Sequence, residues 1–246
     1  MRFFLILIAL LFSDQSYSEV HYGPRPRSFW EEWSSPAFNP NARTVLAIGG
    51  TLTLVLNHVR NQSGDNAQKQ AYSSKPLGDY SYYGDILGQV APNIIYVGAM
   101  WFDYASNYSV RSGERAKLMA KTTLYSSLTT TVLKHTVRQK RPGGQDTSSF
   151  PSGHTTTAFA FASVIGMEHD LAWSIPAYAL AGFVAYSRMN DNFHFTHDVI
   201  AGATIGTAYG VALGYQLREK RYDEPSWVFL PTLESLGLQL AYHYSF

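Results

Sequence analysis

The sequence predicts an all-α protein, a helical bundle that ends in a short β-hairpin-like tail. Three observations carry this expectation. Five apolar runs of helical length, at residues 44–56, 91–102, 155–167, 171–187 and 199–215, are spread along the 246 residues. Between the second and third, Leu118, Tyr125, Leu128 and Val132 recur at seven-, three- and four-residue steps, the spacing of one helix face over 116–137. The tail differs: Leu238, Leu240, Tyr242, Tyr244 and Phe246 alternate with Gln239, Ala241, His243 and Ser245, which is the period of a strand.

Residues 1–18 read as a secretory signal. Met1 and Arg2 give a positive start, residues 3–12 a ten-residue apolar core, and Ser16, Tyr17 and Ser18 a peptidase site with small residues. Ten apolar residues fall well short of the ~20 that cross a bilayer, so cleavage after Ser18 and export are expected. Residues 19–42 hold four prolines with Phe29, Trp30, Trp33 and Phe38. They are expected to form an irregular arm whose aromatics either rest at a lipid interface or pack on the bundle. Residues 43–222 form the helical domain. Within it, 60–85 is polar and rich in Gly, Ser and Tyr, a connection of the length often used as a lid.

The five apolar runs measure 13, 12, 13, 17 and 17 residues. The first three fall below the ~17 residues of a minimal spanning helix, and the fourth contains Pro176. The fifth is rich in Gly, Ala and Thr, which suits close helix packing. A compact bundle with membrane contact is therefore expected, rather than a chain of many spans. In the tail at 223–246, the alternating strand resembles the terminal strand of an outer-membrane barrel. A barrel needs eight or more strands, so a small hairpin with residues 227–230 is the expected form.

Composition narrows the function. The formal net charge is +1, which implies no bulk attraction to nucleic acid. Cysteine is absent, which excludes disulfides and thiol chemistry, and no pattern resembles a zinc or iron site. Neither a metal nor a cofactor is expected.

Three short segments carry the chemistry. The first holds Lys134, Arg138 and Arg141 at i, i+4 and i+7, which a helix would align on one face until Pro142 ends it. No acid lies between Arg115 and Gln145, so the patch is not neutralised locally. Alone it would be an ordinary basic helix end. The second is Pro151-Ser152-Gly153-His154, opening an apolar helix. A Ser-Gly pair there directs free backbone N–H groups outward as an anion site, although Ser152 also suits a plain N-cap. A charged His154 in that first turn is disfavoured by the helix dipole unless an anion lies beside it. The third is Ser187-Arg188, five residues, His194, three residues and Asp198. His194 and Asp198 are expected to meet on one helix face, the carboxylate fixing the imidazole tautomer so that the other nitrogen can attack. Arg188 adds a planar donor fork that fits phosphate oxygens. His135 and His197 neighbour site residues and are expected to face aside, in the core or on the surface.

In this order and spacing the segments resemble the pattern of the phosphatidic acid phosphatase type 2 / vanadium haloperoxidase superfamily: Lys-x6-Arg-Pro, Pro-Ser-Gly-His and Ser-Arg-x5-His-x3-Asp. The resemblance covers residues 121–215. It implies a helical bundle of the acid phosphatase/haloperoxidase type, with His194 as nucleophile, Asp198 as its orienting partner and His154 as general acid. Lys134, Arg141, Ser152, Gly153 and Arg188 would cradle the phosphate. The activity it implies is phosphomonoester hydrolysis through a phosphohistidine, on a phosphorylated lipid, a polyprenyl carrier or a small ester, in the periplasm or cell envelope and in contact with the membrane. A soluble periplasmic acid phosphatase, a vanadium-dependent haloperoxidase and a non-catalytic envelope protein are the alternatives. The place of Asp191, an acid beside an anion site, is left open by the sequence.

Overall fold

The structure, a computed structural model, describes residues 27–220, 226–232 and 237–243, with side chains up to residue 218. The signal segment at 1–18 lies outside the described residues. Two short helices, α1 (Phe29–Trp33) and α2 (Ser35–Phe38), lead into α3 (Pro40–Ser63). Then come α4 (Asn66–Ser74), a 3₁₀ turn (Gly78–Tyr80), α5 (Ser81–Leu87), α6 (Ala91–Asn107) and α7 (Val110–Val137). The last helices are α8 (Gly153–Glu168), α9 (Leu171–Asn190) and α10 (Thr196–Lys220). All five apolar runs and the 116–137 segment lie within these helices, and no strand occurs in 27–220. Beyond α10, β1 (Ser226–Thr232) pairs antiparallel with β2 (Gly237–His243), Ser226 opposite His243.

The arm is not irregular over its described part. Ser28 accepts from the Glu31 N–H while Glu31 accepts from the Ser28 N–H, a capping box that starts α1. Pro36 and Pro40 each sit in the first turn of a helix, where a missing N–H costs nothing. The arm is pinned to the bundle through a buried carboxylate: Glu32 accepts from Lys121 Nζ at 2.6 Å and from Tyr125 Oη at 2.7 Å. Trp33 Nε1 donates to Thr129 Oγ1 at 2.9 Å, and Phe29 packs edge-on to Tyr125. Trp30 and Phe38 stay exposed. The aromatics thus divide, two against the bundle and two outward.

α3 is longer than its apolar run, because the helix continues through the polar residues up to Ser63. At 24 residues it is long and apolar enough to cross a membrane, by length and composition. Its Ile48, Leu52, Leu54, Val55 and Val59 are exposed, as are Ile94, Ile95 and Phe102 of α6 and Trp173 and Ile175 of α9. The expectation that this run was too short to span is therefore corrected. The 60–85 connection is likewise mostly helical rather than a free lid.

The centre of the bundle is the pair α8 and α10. Gly202, Gly206, Gly210 and Gly214 recur every four residues and form one stripe of α10. A Cβ on Gly202 would lie 2.6 Å from the Ser152 carbonyl oxygen, and one on Gly206 2.7 Å from the Ala160 nitrogen. One on Gly214 would lie 2.9 Å from Met167. The stripe lets the two backbones approach and fixes the register of α8 on α10. Around this seam Met119, Ala160, Ala162, Val164, Val184 and Ala208 are fully buried. The consequence for function is positional: the C-terminal ends of α7 and α9 and the N-terminal ends of α8 and α10 carry the three motifs to one place.

Candidate active site

α7 ends at Val137, earlier than the sequence spacing suggests. Arg138 takes a left-handed conformation (φ 50°) and its N–H bonds the Lys134 carbonyl, closing the helix. Lys134, Arg138 and Arg141 therefore do not share a helical face. Lys134 stays on the last turn, while Arg141 lies in the connection to α8, where its Nε bonds Asp146 at 2.9 Å. The early end has a purpose, since it turns Gln139 inward. Gln139 Nε2 donates to Asp198 Oδ1 at 3.0 Å, and its Oε1 lies 3.0 Å from His197 Nε2.

Ser152 is the N-cap of α8. Its Oγ accepts from the Thr155 hydroxyl at 2.9 Å and from the Thr155 N–H. Its own N–H donates to the Asp198 carbonyl at 3.0 Å, so the anion-site turn is tied to the start of α10. Gly153 opens the helix, with only the Lys134 side chain close to where a Cβ would be.

α10 begins at Thr196, so His194 and Asp198 do not meet on one helix face; His194 lies in the segment before the helix. Its Nδ1 is 3.6 Å from Asp198 Oδ2. The gap has a cause. That same oxygen already accepts from Ser149 Oγ at 2.5 Å and from the Phe195 N–H at 2.9 Å, and a carboxylate offers about four lone-pair sites. His197 is the second correction. It does not face aside: it is buried, its Nε2 lies 3.0 Å from Asp198 Oδ1, and its ring is stacked between Phe150 and Phe195. At the first turn of a helix, adjacent side chains can fold back on one another. His135, by contrast, is exposed on α7.

Arg188 is buried and its fork is divided. One terminal nitrogen is 2.5 Å from Asp85 Oδ1, the other 3.2 Å from Asp191 Oδ2, and its Nε donates to Ser187 Oγ. These contacts use three of five N–H groups. Asp191 thus turns to Arg188, and its other oxygen accepts from Asn190. Phe193 lies between the guanidiniums of Arg141 and Arg188, 5.4 and 5.3 Å from its ring centre.

Asp85, which belongs to no motif, joins the two halves of the site. Its Oδ1 is 3.2 Å from His154 Nε2 as well as touching Arg188. Gly84 and Gly88 let α5 come this close, since a Cβ on Gly88 would lie 2.7 Å from that of His154. Asp65 is a second acid without a motif. It accepts from the Thr196 N–H and hydroxyl, both at 2.7 Å, and from the Gln68 N–H, capping α10 and α4 together two residues from His194. Neither acid stands out in the sequence, because its partners in the site, His154 and Arg188 for Asp85 and Thr196 for Asp65, are remote along the chain.

Electrostatics sets the protonation states. Burial pushes His194 down to about 4, with Lys134 and Arg141 adding to the effect against the pull of Asp198. It is a neutral imidazole at ordinary pH. Burial also raises Asp198, but the facing His194 ring and the bonds from His197 and Ser149 outweigh it and hold the carboxyl well below the usual range. Burial and then Arg188 lower His154, while Asp85 opposes them. Lys134 is brought down to about 8 by burial and by Arg141, and its Nζ donates to the Ser148 carbonyl at 2.5 Å. The arrangement sets a neutral buried imidazole among cations, with a second, carboxylate-paired imidazole close by.

The pattern of the PAP2 superfamily matches residues 116–222 of this chain. Among relatives, the lipid A 1-phosphatase of Porphyromonas gingivalis is 30% identical over 168 residues, 66% of this chain and 36% of that protein. The chain thus spans 36% of the length of that curated relative. The fold is similar to two crystal structures. The transmembrane PAP2-type phosphatidylglycerolphosphate phosphatase of Bacillus subtilis superposes with a TM-score of 0.61 at 21% identity, over 77% of this chain and 99% of that one. LpxE of Aquifex aeolicus does so with 0.50 at 23% identity, over 59% and 91%.

Proposed function

We propose that this chain is a membrane-associated phosphatase that removes the phosphate of a phosphomonoester, on a lipid or polyprenyl carrier, through a phosphohistidine at His194. The observation that carries the reading is the buried, neutral His194, whose Nδ1 faces Asp198 and whose surroundings are cationic. With Nδ1 directed to the carboxylate, Nε2 is the nitrogen left to attack phosphorus. As the N–P bond forms, the bond from phosphorus to the leaving oxygen breaks and His154 gives that oxygen its proton. Water then attacks the phosphohistidine, His154 takes a proton from it, and inorganic phosphate leaves with His194 restored. Lys134, Arg141, the free N–H groups of Arg188 and the N-terminus of α8 at Ser152 and Gly153 stabilise the charge on the phosphoryl oxygens. Asp85, beside His154, favours the imidazolium that the acid step requires. The cradle itself supplies the positive charge that a metal ion would otherwise bring, so the reading includes no metal or cofactor.

The named relatives make lipid A 1-phosphate and phosphatidylglycerol phosphate the first substrates to try. The exposed apolar surfaces of α3, α6 and α9 support membrane association, with α3 as the segment able to enter the bilayer. The test is phosphate release by the full chain in detergent micelles from those two lipids, a polyprenyl phosphate and nitrophenyl phosphate. Release from none of them, with intact protein, overturns the reading.

A further inference from the structure

His197 is a buried titratable side chain that the phosphohistidine reaction does not use. It lies in the first turn of α10, with its ring stacked on Phe150 and Phe195 at interplanar angles of 19° and 20°. Its Nε2 is 3.0 Å from Gln139 Oε1 and 3.0 Å from Asp198 Oδ1. Both oxygens are acceptors, because Gln139 Nε2 donates to the same Asp198 Oδ1 at 3.0 Å and so fixes which way the amide points. His197 therefore holds its proton on Nε2. Its Nδ1 is buried and has no partner among the described residues, so an N–H there would be unsatisfied. Gln139, His197 and the carboxylate form a closed triangle.

The other oxygen of Asp198 receives Ser149 Oγ at 2.5 Å and the Phe195 N–H at 2.9 Å. A carboxylate offers about four lone-pair sites, and these four donors take them. The nucleophile, His194, stands farther off at 3.6 Å. Two opposed demands meet here. The imidazole needs a carboxylate at Nδ1 to fix its tautomer. A carboxylate whose charge is not shared would also draw a proton onto Nε2, the atom that must attack. We propose that His197 and Gln139 are positioning residues: from the Oδ1 side they hold Asp198 with Oδ2 toward His194 and draw off part of its charge, so that the carboxylate orients the imidazole and leaves it free to attack. The proposal rests on the phosphatase reading and adds to it two residues at unspecified positions of the motifs.

The other charged groups around His194 are Lys134 of α7 and Arg141 of the connection that follows it. His154 of α8, Asp85 of α5, and Arg188 and Asp191 at the end of α9 form further ion pairs of the site. Arg60 of α3 lies over Phe195, and Asp65 caps Thr196. A change at His197 removes none of them. The test is a pH titration of the full chain in detergent, with nitrogen-labelled histidine read by NMR and kcat/KM on nitrophenyl phosphate measured in parallel. The wild-type spectrum should place the His197 proton on Nε2, and His194 should titrate near 4. His197→Phe keeps a ring between Phe150 and Phe195 and loses the donor. It should move the His194 midpoint, and with it the acid limb of kcat/KM, up by about one pH unit, a share of the ~1–3 units that a full neighbouring charge commands. Gln139→Met should move both the same way, so the test survives if one variant fails to fold. His197→Gln loses the ring but can set an amide N–H where Nε2 lies, and should bring the midpoint most of the way back. A packing role for the ring gives the reverse order. A midpoint unmoved in His197→Phe and Gln139→Met, one moved most by His197→Gln, or a His197 proton on Nδ1 would overturn the proposal. Wild-type protein that hydrolyses no ester, while the midpoints move as expected, would remove the phosphatase reading and leave the pairing of His197 and Gln139 with Asp198 in place.

Discussion

Replacing Gly206 by alanine adds one methyl group at the seam between α10 and α8, far from any reacting atom. The new Cβ would collide with the Thr156 carbonyl oxygen and lie 2.7 Å from the Ala160 nitrogen and 3.1 Å from the Phe159 carbonyl carbon. Ordinary contact begins at 3.4 Å, so the two helices must part by up to about 1 Å. These atoms are backbone, which cannot swing aside. Overpacking of this kind costs about 1–3 kcal/mol, or roughly 2–12 °C in Tm at the slope for a chain of this size. The same shift moves Ser152, Gly153 and His154 relative to Asp198 and His194, because α8 is a rigid rod. Misplacement by about 1 Å costs on the order of 100-fold in rate, so a loss of about 10- to 100-fold in kcat is expected. Gly98→Ala and Gly182→Ala are the controls. Nothing lies within 4 Å of either added methyl, and each should leave kcat unchanged and stabilise its helix by up to ~1 kcal/mol. Thermal unfolding and steady-state turnover of the three variants read both effects. A Gly206→Ala protein with wild-type kcat and Tm would refute the idea that this seam sets the site.

Three further expectations concern the chemistry. His154→Ala should cost about 100-fold or more on a lipid phosphate, whose alkoxide leaves poorly without a proton, and much less on nitrophenyl phosphate. The pH profile of kcat/KM should have an acid limb near 4, where His194 gains a proton and stops being a nucleophile. Its alkaline limb should lie below 6.5, where the lowered His154 loses the proton it must donate. In His154→Ala, assayed on nitrophenyl phosphate, the alkaline limb should move up to about 8, where Lys134 loses its charge; a limb that stays in place would remove His154 from the acid role. EDTA should leave the rate unchanged, and vanadate should inhibit by resembling the transition state on the histidine nitrogen. Loss of activity in EDTA that magnesium restores would contradict the part assigned to the cationic cradle.

Much of the bundle could be read from the chain, because helices buried on a face leave a period in the sequence. The residues 116–137 and the apolar runs became α7 and the other long helices, with α3 extended by polar residues that no hydrophobic window captures. The Gly, Ala and Thr of 199–215 suit close packing, and the stripe from Gly202 to Gly214 packs on α8. What the spacing misled on was local geometry at helix ends. Three cations at i, i+4 and i+7 implied a face, yet the chain leaves the helix at Arg138 so that Gln139 can reach Asp198. His194 and Asp198 were four apart for a helical reason that does not apply, since α10 starts at Thr196 and the carboxylate faces back across its first turn. Mid-helix geometry turns adjacent side chains apart, yet at the start of α10 His197 lies against Asp198. Asp85, Gln139, Phe193 and Asp65 carry no signal in the sequence. Each is a single residue whose partner is distant or in an irregular segment, so neither period nor charge run marks it.

Capture of the covalent intermediate decides whether His194 is the nucleophile. His154→Ala protein, mixed with nitrophenyl phosphate and quenched within the first turnovers, should carry one phosphoryl group on nitrogen, which peptide mass spectrometry places on His194. The same quench of His194→Ala should give unlabelled protein and no turnover. Phosphate found on another residue, or steady hydrolysis by His194→Ala, would contradict the mechanism.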